Sequence, residues 1–186
     1  MKLMRSWFRA ACIAVAALAA TSAAAGATDE NLLVVEAKGG QQLASFTFEQ
    51  LKGGFTQHDM ITATPFIKNG VKIHFRGPAL SDFIAKAGLQ EDQTIEVAAY
   101  DGFIAYVKME EIRAYNPIIA LEVACSDRDA ELKVPCSGSD GFRPLVLKEG
   151  GPFYLMWPLE EMPASYNPTR NSIWVWCVTN IRPDRK

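Results

Sequence analysis

Histidine is scarce in this sequence. Many metal sites and acid–base catalysts depend on this side chain. Among 186 residues there are two histidines, His58 and His74, and four cysteines, and these form neither a CxxC pair nor a Cys/His cluster. The sequence also lacks the G-x-S-x-G, H-E-x-x-H, P-loop and G-x-G-x-x-G signatures. We therefore predict no resident metal and little basis for general acid–base catalysis.

An excess of positive charge is absent as well. The chain has 19 Lys and Arg against 21 Asp and Glu, with no basic stripe or basic tail. Proteins that bind nucleic acids or anionic membranes rely on clustered basic residues. Neither is an expected partner of this chain.

Long apolar runs are missing except near the N-terminus. There, Lys2, Arg5 and Arg9 precede an apolar run over residues 10–20, and Ala25-Gly26-Ala27 supplies small residues for cleavage. This pattern predicts a secretory signal peptide, residues 1–27, with a cut after Ala25 as the alternative. An uncleaved membrane anchor is the rival interpretation, but the run is short for a hydrocarbon core of about 30 Å.

Export would make this a periplasmic protein with one domain, residues 28–186. Removing residues 1–27 takes away three of the 19 basic residues and no acidic residue, which leaves 16 against 21 and a net charge of −5. Arg5 and Arg9 are not adjacent, so the leader favours export of the unfolded chain.

An oxidising compartment changes the interpretation of the cysteines. Cys125 and Cys136 flank a polar, loop-like stretch and are predicted to form a disulfide, with a metal site as the alternative. Cys177 lies in the apolar run IWVWCV and is predicted to be a buried free thiol.

Periodicity predicts a strand-rich, mixed-sheet α+β domain with two or three short helices. Residues 78–87 begin with proline, end before Gly88 and place apolar residues on one face, which is typical of a helix. Asp101-Gly102 between two apolar runs predicts a hairpin with a two-residue type I′ turn. Further strands are expected at residues 118–124, 145–148 and 173–181.

Aromatic side chains are dense in the C-terminal part, which includes Trp157, Trp174 and Trp176. On a strand, Trp174 and Trp176 would share a face. They are either core residues or a platform for a flat ring, because indole faces stack on planar heterocycles. Arg76 and Arg170 are candidates for holding an anion or a polar edge, or else ordinary surface charges.

Six segments in order resemble the oxidoreductase molybdopterin-binding domain, the central domain of the sulfite oxidase family. They are TATPF (62–66), FRGPALSDFIAKAG (75–88), AAYDGF (98–103), NPIIAL (116–121), GGPFYLMWP (150–158) and RNSIWVW (170–176). The chain is most similar to small exported members, some of which resemble periplasmic pterin-binding proteins that regulate a membrane-bound cyclic-di-GMP enzyme. The resemblance implies the sulfite oxidase-like fold and a pterin-type ligand.

One departure from the family pattern bears on the chemistry. Sulfite oxidases hold molybdenum through a cysteine thiolate in the region that here contains Thr62 and Thr64. A threonine hydroxyl is a poor substitute for thiolate. We therefore expect the fold without sulfite oxidase chemistry.

Three hypotheses follow. The first is a module that binds a pterin-like heterocycle and signals to the periplasmic part of a membrane protein. The second is a molybdopterin-dependent oxidoreductase or its accessory subunit, with a redox partner, and the third is an adaptor domain without ligand. For the first hypothesis, the expected binding residues are Thr64, Phe66, Arg76, Tyr100, Asp101, Trp157, Arg170 and Trp174.

Overall fold

The computed structural model describes residues 29–64, 66, 70–136, 138–166 and 172–185. The predicted signal peptide, residues 1–27, and the predicted binding residue Arg170 lie outside the described residues. In the described part of the chain, no helix combines the length and apolar character needed to cross a membrane.

The described elements are short strands with four short α-helices among them, which confirms the α+β prediction but adds a helix. The α-helices are α1 (Phe48–Gly54), α2 (Leu80–Ala87), α3 (Met109–Tyr115) and α4 (Arg128–Leu132). The strands are β1 (Leu33–Glu36), β2 (Gln42–Phe46), β3 (Gln57–Ala63), β4 (Lys72–Pro78), β5 (Thr94–Ala99), β6 (Ile104–Lys108), β7 (Ile118–Ala120), β8 (Glu122–Ala124), β9 (Phe142–Pro144), β10 (Tyr154–Met156) and β11 (Val178–Pro183).

The strands form three sheets. The first has the order β2-β1-β11-β5-β6, the second β3-β4-β8-β9, and the third is the pair β10-β7. All neighbours are antiparallel except β1 and β11, which are parallel. The first strand of the described residues therefore pairs with the last.

Local sequence signals set several element ends. Thr47 and Gln50 form a reciprocal capping box at α1, because the Gln50 N–H donates to Thr47 Oγ1 and the Thr47 N–H donates to Gln50 Oε1. Gly88 ends α2 in the left-handed conformation at φ 72°. The buried face of α2 is Leu80, Phe83 and Ile84, as its apolar spacing predicted.

The segment predicted as one strand over residues 118–124 is divided between two sheets. Strand β7 pairs with β10, whereas β8 pairs with β4 and β9, and Leu121 lies between them. Leu121 N–H donates to Arg76 O at 2.9 Å, and its carbonyl accepts from Leu145 N–H at 2.9 Å. The backbone groups at the break are thus satisfied, which is why a buried apolar run can change sheets here.

The disulfide between Cys125 and Cys136 is confirmed, with the two Cα atoms 5.6 Å apart. The stretch between them is not all loop, since it contains α4. The strand predicted at residues 145–148 is wrong: the strand is β9, and residues Leu147–Glu149 form a 3₁₀ turn. That turn lets Glu149 reach back to the buried Arg143 side chain.

A buried ion-pair cluster connects this region. Arg143 is 1% exposed and donates to Asp129 Oδ1 at 2.6 Å and to the two Glu149 carboxylate oxygens at 2.6 and 2.9 Å. Asp129 lies on α4, inside the disulfide loop. Arg143 therefore joins α4 to the turn that carries Glu149, and we call these three residues the Arg143 cluster.

Candidate functional site

A cleft of about 270 Å³ opens where the end of the β5–β6 hairpin meets the bend that precedes β11. We call it the aromatic cleft. Four of its six lining side chains are aromatic, one is small and one is a carboxylate. The lining residues are Phe66, Ala99, Asp101, Phe103, Trp174 and Trp176.

The hairpin loop positions Asp101 at the rim. Its three loop residues are Tyr100, Asp101 and Gly102, and the Ala99 N–H donates to Phe103 O at 2.8 Å across its base. Only Gly102 has positive φ, at 89°, so the predicted type I′ turn is wrong, because that turn needs two such residues. Asp101 Oδ1 accepts the Phe103 N–H at 3.0 Å, an Asx contact that fixes the carboxylate.

The bend before β11 carries both tryptophans of the cleft. Residues 173–177 were predicted as strand, but β11 begins at Val178, and Cys177 has a left-handed φ of 48°. The Cys177 carbonyl accepts the Tyr100 N–H at 2.9 Å, which ties this bend to the hairpin loop. The bend brings Trp174 and Trp176 to one cleft without a regular strand.

The two tryptophans differ in burial and in hydrogen bonding. Trp176 is 39% exposed, and its indole N–H donates to the Tyr154 hydroxyl at 2.7 Å. Trp174 is 2% exposed, and its buried indole N–H has no hydrogen-bond partner among the described residues. An unsatisfied buried donor is unusual and marks Trp174 as a place where an acceptor would stabilise the site.

A second cleft, of about 130 Å³, adjoins the first, and we call it the charged cleft. Phe66 and Trp176 belong to both clefts, and their rings pack edge to face with centroids 4.5 Å apart. This ring pair is a shared wall. The charged cleft is lined by Thr64, Phe66, Ile73, Phe75, Val123, Arg128, Leu145, Lys148, Glu149, Tyr154 and Trp176.

Hydroxyl groups of the charged cleft are tied to the shared wall. Burial raises the pKa of Tyr154 well above its ordinary value, against the opposing effect of hydrogen bonds from Trp176 and Thr64. Tyr154 therefore stays a neutral phenol throughout the physiological range. The Tyr154 hydroxyl, which accepts the Trp176 indole N–H, holds Trp176 in place.

The structure brings some predicted site residues together and separates others. Phe66, Asp101 and Trp174 line the aromatic cleft, and Thr64 lines the charged cleft. Tyr100 is in the adjoining hairpin loop, where it is 52% exposed, and it is not among the lining residues of either cleft.

Arg76 and Trp157 have structural environments that the sequence did not reveal. Arg76 donates to Asp59 Oδ1 at 2.8 Å and to Asp140 Oδ2 at 2.7 Å, and its guanidinium carbon lies 3.6 Å from the Phe142 ring centroid. Trp157 is 0% exposed, and its indole N–H donates to the backbone carbonyl of Ile173 at 2.8 Å. Neither is among the residues that line the two clefts, and their roles in ligand binding stay predictions.

Two cleft residues were missed as site residues by the sequence reasoning, Phe103 and Trp176. Phe103 directly follows the Asp101-Gly102 pair, and Trp176 lies two residues after Trp174. Both signals were visible in the sequence. These sequence positions do not show which aromatic side chain faces solvent, and without that information neither residue could be assigned to the cleft.

The donor set of the described residues does not match thiolate ligation of molybdenum. Thr62 is 0% exposed, its hydroxyl donates to Trp157 O at 2.9 Å, and it accepts the Leu159 N–H at 3.0 Å. Among the described cysteines only Cys177 is free, and burial raises the pKa of its thiol, reinforced by the charges of Glu30 and Asp101. No cluster of three metal-ligating side chains occurs in the described part.

Comparison with known proteins bears on the fold. No family model and no curated protein matches the chain. A solved structure that is similar is the sulfane dehydrogenase SoxCD from Paracoccus pantotrophus, with a TM-score of 0.54, 17% identity, and coverage of 85% of this chain and 39% of that chain. This supports, at a coarse level, the molybdopterin-oxidoreductase-like fold that the sequence motifs predicted. At this identity the likeness concerns the fold alone, and the chain spans well under half of that protein.

Proposed function

We propose that this chain is an exported, periplasmic binding protein that holds a planar heterocycle of the pterin type in the aromatic cleft. The observation that carries the proposal is the lining of that cleft: four aromatic side chains and one carboxylate around about 270 Å³. Cavities for drug-sized ligands usually span about 300–1,000 Å³, so this cleft suits a smaller, flat molecule.

Aromatic walls supply the stacking surface. Phe103 and Trp176 are 42% and 39% exposed, an arrangement that leaves large rings in contact with water in the free protein. Covering them with a flat ligand removes apolar surface from water and adds stacking, which contributes about 0.5–1.5 kcal/mol per aromatic pair beyond burial. Because the aromatic walls are already positioned in the free protein, little of the binding free energy is lost in ordering them.

Two polar groups give the cleft its selectivity. Asp101 is an acceptor for adjacent N–H donors, such as the amino group and ring N–H of a pterin. The Trp174 indole N–H is a donor without a described partner. A heterocycle with neighbouring donors on one edge and an acceptor elsewhere matches both groups.

The proposal assigns a signalling role and no sulfite oxidase chemistry. Thr62 is already committed to two backbone groups, and the Cys177 thiol is protonated at neutral pH because burial raises its pKa. We therefore assign ligand binding, rather than thiolate-held molybdenum chemistry, to the cleft. The partner we propose is the periplasmic part of a membrane signalling protein. It would contact the exposed hairpin loop and bind the ligand-filled and the ligand-free protein with different affinities.

A second candidate function is a molybdopterin-dependent oxidoreductase subunit, favoured by the fold shared with the sulfane dehydrogenase SoxCD. Metal analysis of protein made in cells that synthesise the cofactor separates the two. Stoichiometric molybdenum would support the second candidate and overturn the first. The ligand-free adaptor is disfavoured by the open aromatic cleft, which such a protein has no need to maintain.

The test is a titration of purified protein with pterins, followed by Trp fluorescence and by thermal unfolding. We expect saturable quenching and a rise in the melting temperature. Phe103→Leu should weaken binding about threefold to tenfold through lost stacking. Tyr106→Leu is the matched control, because Tyr106 is a similarly exposed aromatic residue of β6 that is not in the cleft lining.

A second variant pair tests the carboxylate. Asp101→Asn keeps an acceptor for Phe103 N–H but removes the charge, so the hairpin should persist while pterin affinity falls tenfold or more, about 1.5–3 kcal/mol for a charged hydrogen bond. Glu91→Gln, at an exposed acid outside both clefts, is the control. Absence of any pterin effect on fluorescence or melting would overturn the proposed function.

A further inference from the structure

The loop between Cys125 and Cys136 carries α4 but buries little of it. Within α4, Asp129 alone is buried and Leu132 is half-buried. So short a helix is not stable by itself, since isolated helices below about 12–15 residues are marginal in water. The conformation of this loop therefore depends on its attachment to the rest of the protein.

Hydrogen bonds within the loop fix its shape but do not attach it. The Asp129 N–H donates to Ser126 O at 3.0 Å, and the Val134 N–H donates to Asp129 O at 2.9 Å. Lys133 ends α4 with a left-handed φ of 56°, a conformation that is unfavourable for a residue other than glycine. These contacts leave the loop without an anchor outside itself.

Two tethers attach the loop among the described residues. One is the disulfide, which joins Cys136 to Cys125 at the end of β8. The other is the ion pair in which Arg143 donates to Asp129 Oδ1 at 2.6 Å. Arg143 also donates to both carboxylate oxygens of Glu149, so it stays paired if Asp129 leaves. The second tether can therefore open without leaving a buried cation unpaired.

The strands on either side of the loop have contacts of their own. Strand β8 pairs with β9 through Ala124 and Phe142, and the Cys125 N–H donates to Gly141 O at 2.8 Å. Opening of the loop therefore leaves the four-stranded sheet paired.

The disulfide is accessible, since Cys136 is exposed and Cys125 is half-buried. Exposed disulfides are the ones that thiols reduce most readily. We propose that this disulfide is a redox-sensitive latch on α4, which a protein dithiol opens. A thiolate of the dithiol attacks Cys136 Sγ, the S–S bond breaks, and Cys125 leaves as a thiolate and takes up a proton.

The second thiol of the dithiol completes the exchange. It attacks the mixed disulfide and releases Cys136 as a thiol. The chain thus gains two electrons and two protons, and the dithiol leaves as a disulfide. An oxidant that accepts two electrons from the two thiols closes the latch again.

Opening the latch alters one wall of the charged cleft. Arg128 of α4 and Lys148 of the 3₁₀ turn both line that cleft, and Arg143 joins the two segments. After reduction, the ion pair of Asp129 with Arg143 is the remaining tether that keeps Arg128 in the lining. The latch acts on this wall whichever ligand occupies the aromatic cleft.

The test is hydrogen exchange of the purified protein, followed by mass spectrometry, before and after reduction with dithiothreitol. We expect the amides of residues 126–134 to exchange about tenfold faster or more after reduction, because local opening then requires the loss of one tether only. Amides of β11 should stay protected over the first minutes in both forms. Reoxidation should restore the slow exchange of the loop.

Variants separate the two tethers. Cys125→Ser/Cys136→Ser should show the fast exchange with and without dithiothreitol. Asp129→Asn should change the exchange little while the disulfide is intact and accelerate it further after reduction. Asp127→Asn, at an exposed acid of the same loop, is the matched control and should behave like the original protein.

Three results would overturn the latch. They are unchanged exchange of the loop in the fully reduced protein, resistance of the disulfide to dithiothreitol in the folded chain, and a loss of protection that spreads to β11. The last result would make the disulfide a staple for the whole fold. No pterin enters the experiment, so its failure leaves the proposed function standing, and failure of pterin binding leaves the latch standing.

Discussion

Replacing Arg143 tests whether the Arg143 cluster holds the two sides of the charged cleft together. The Arg143 side chain is 1% exposed, and those of Asp129 and Glu149 are 9% and 10% exposed. Arg143→Met keeps the length of the side chain but leaves two carboxylates without a partner. Removing one partner from a buried pair typically costs about 3–5 kcal/mol. With a urea m-value of about 2 kcal/mol/M, the unfolding midpoint should fall by roughly 2 M.

Arg76→Met is the matched control. Arg76 also binds two carboxylates, Asp59 and Asp140, but their side chains are 54% and 52% exposed, so water can replace the lost partner. Exposed ion pairs contribute little to stability. We expect this variant to shift the urea midpoint by less than half as much. Equal shifts, or an Arg143→Met protein as stable as the original, would refute the reasoning.

The pH dependence supplies an independent measurement on the same variant. The Arg143 guanidinium, through its hydrogen bond, holds the pKa of Asp129 below its usual range. Because the folded pKa is the lower one, the stabilisation is complete above the unfolded pKa of about 3.9 and is lost as pH falls below it. The stability gap between the original protein and Arg143→Met should therefore narrow between pH 6 and pH 3, as urea titrations at each pH would show.

Three other predictions concern the cleft walls and the cysteines. Cys125→Ser/Cys136→Ser should lower the free energy of unfolding by about 3 kcal/mol, the chain-entropy value for so short a loop, as measured by urea titration. Gly150→Ala should abolish pterin binding. Gly150 has a φ of 91°, and an added Cβ would lie 2.9 Å from the Tyr154 ring and 3.2 Å from Cγ of Trp176. Trp fluorescence of the free protein should change as well, and an unchanged spectrum with normal binding would contradict the assignment of Trp176 to the shared wall. Cys177 should react with a thiol reagent at pH 8 more slowly in the folded than in the urea-unfolded protein, because burial raises its pKa, and equal rates would contradict this.

Features decided by neighbouring residues could be predicted from the sequence. The capping box at Thr47, the left-handed Gly88 and the apolar face of α2 follow from residues within one or two helical turns. The same holds for the Cys125–Cys136 pair, which a short polar stretch separates. Local chemistry is sufficient where the competing conformations are few.

Features decided by distant partners could not be predicted from the sequence. Trp157 and Trp174 are both tryptophans in apolar segments, and only the fold places Trp157 in the core and Trp174 beside a cleft. The alternation of polar and apolar residues predicts that Arg76 lies on the exposed face of a strand. It does not show that the two carboxylates that bind Arg76 come from β3 and from the loop before β9. Even the Asp101-Gly102 signal predicted a hairpin correctly and its turn type wrongly, because Tyr100 is held by Cys177 from another part of the chain.

Strand β11 occupies the centre of the five-stranded sheet, between β1 and β5. Before Val178–Pro183 has been synthesised, β1 with β2 and β5 with β6 are two separate hairpins, and an isolated hairpin is only marginally stable. The sheet that supports the aromatic cleft therefore cannot close before β11 has been synthesised. A chain that lacks β11 would lose the sheet rather than its edge, because both halves of the sheet pair with this strand.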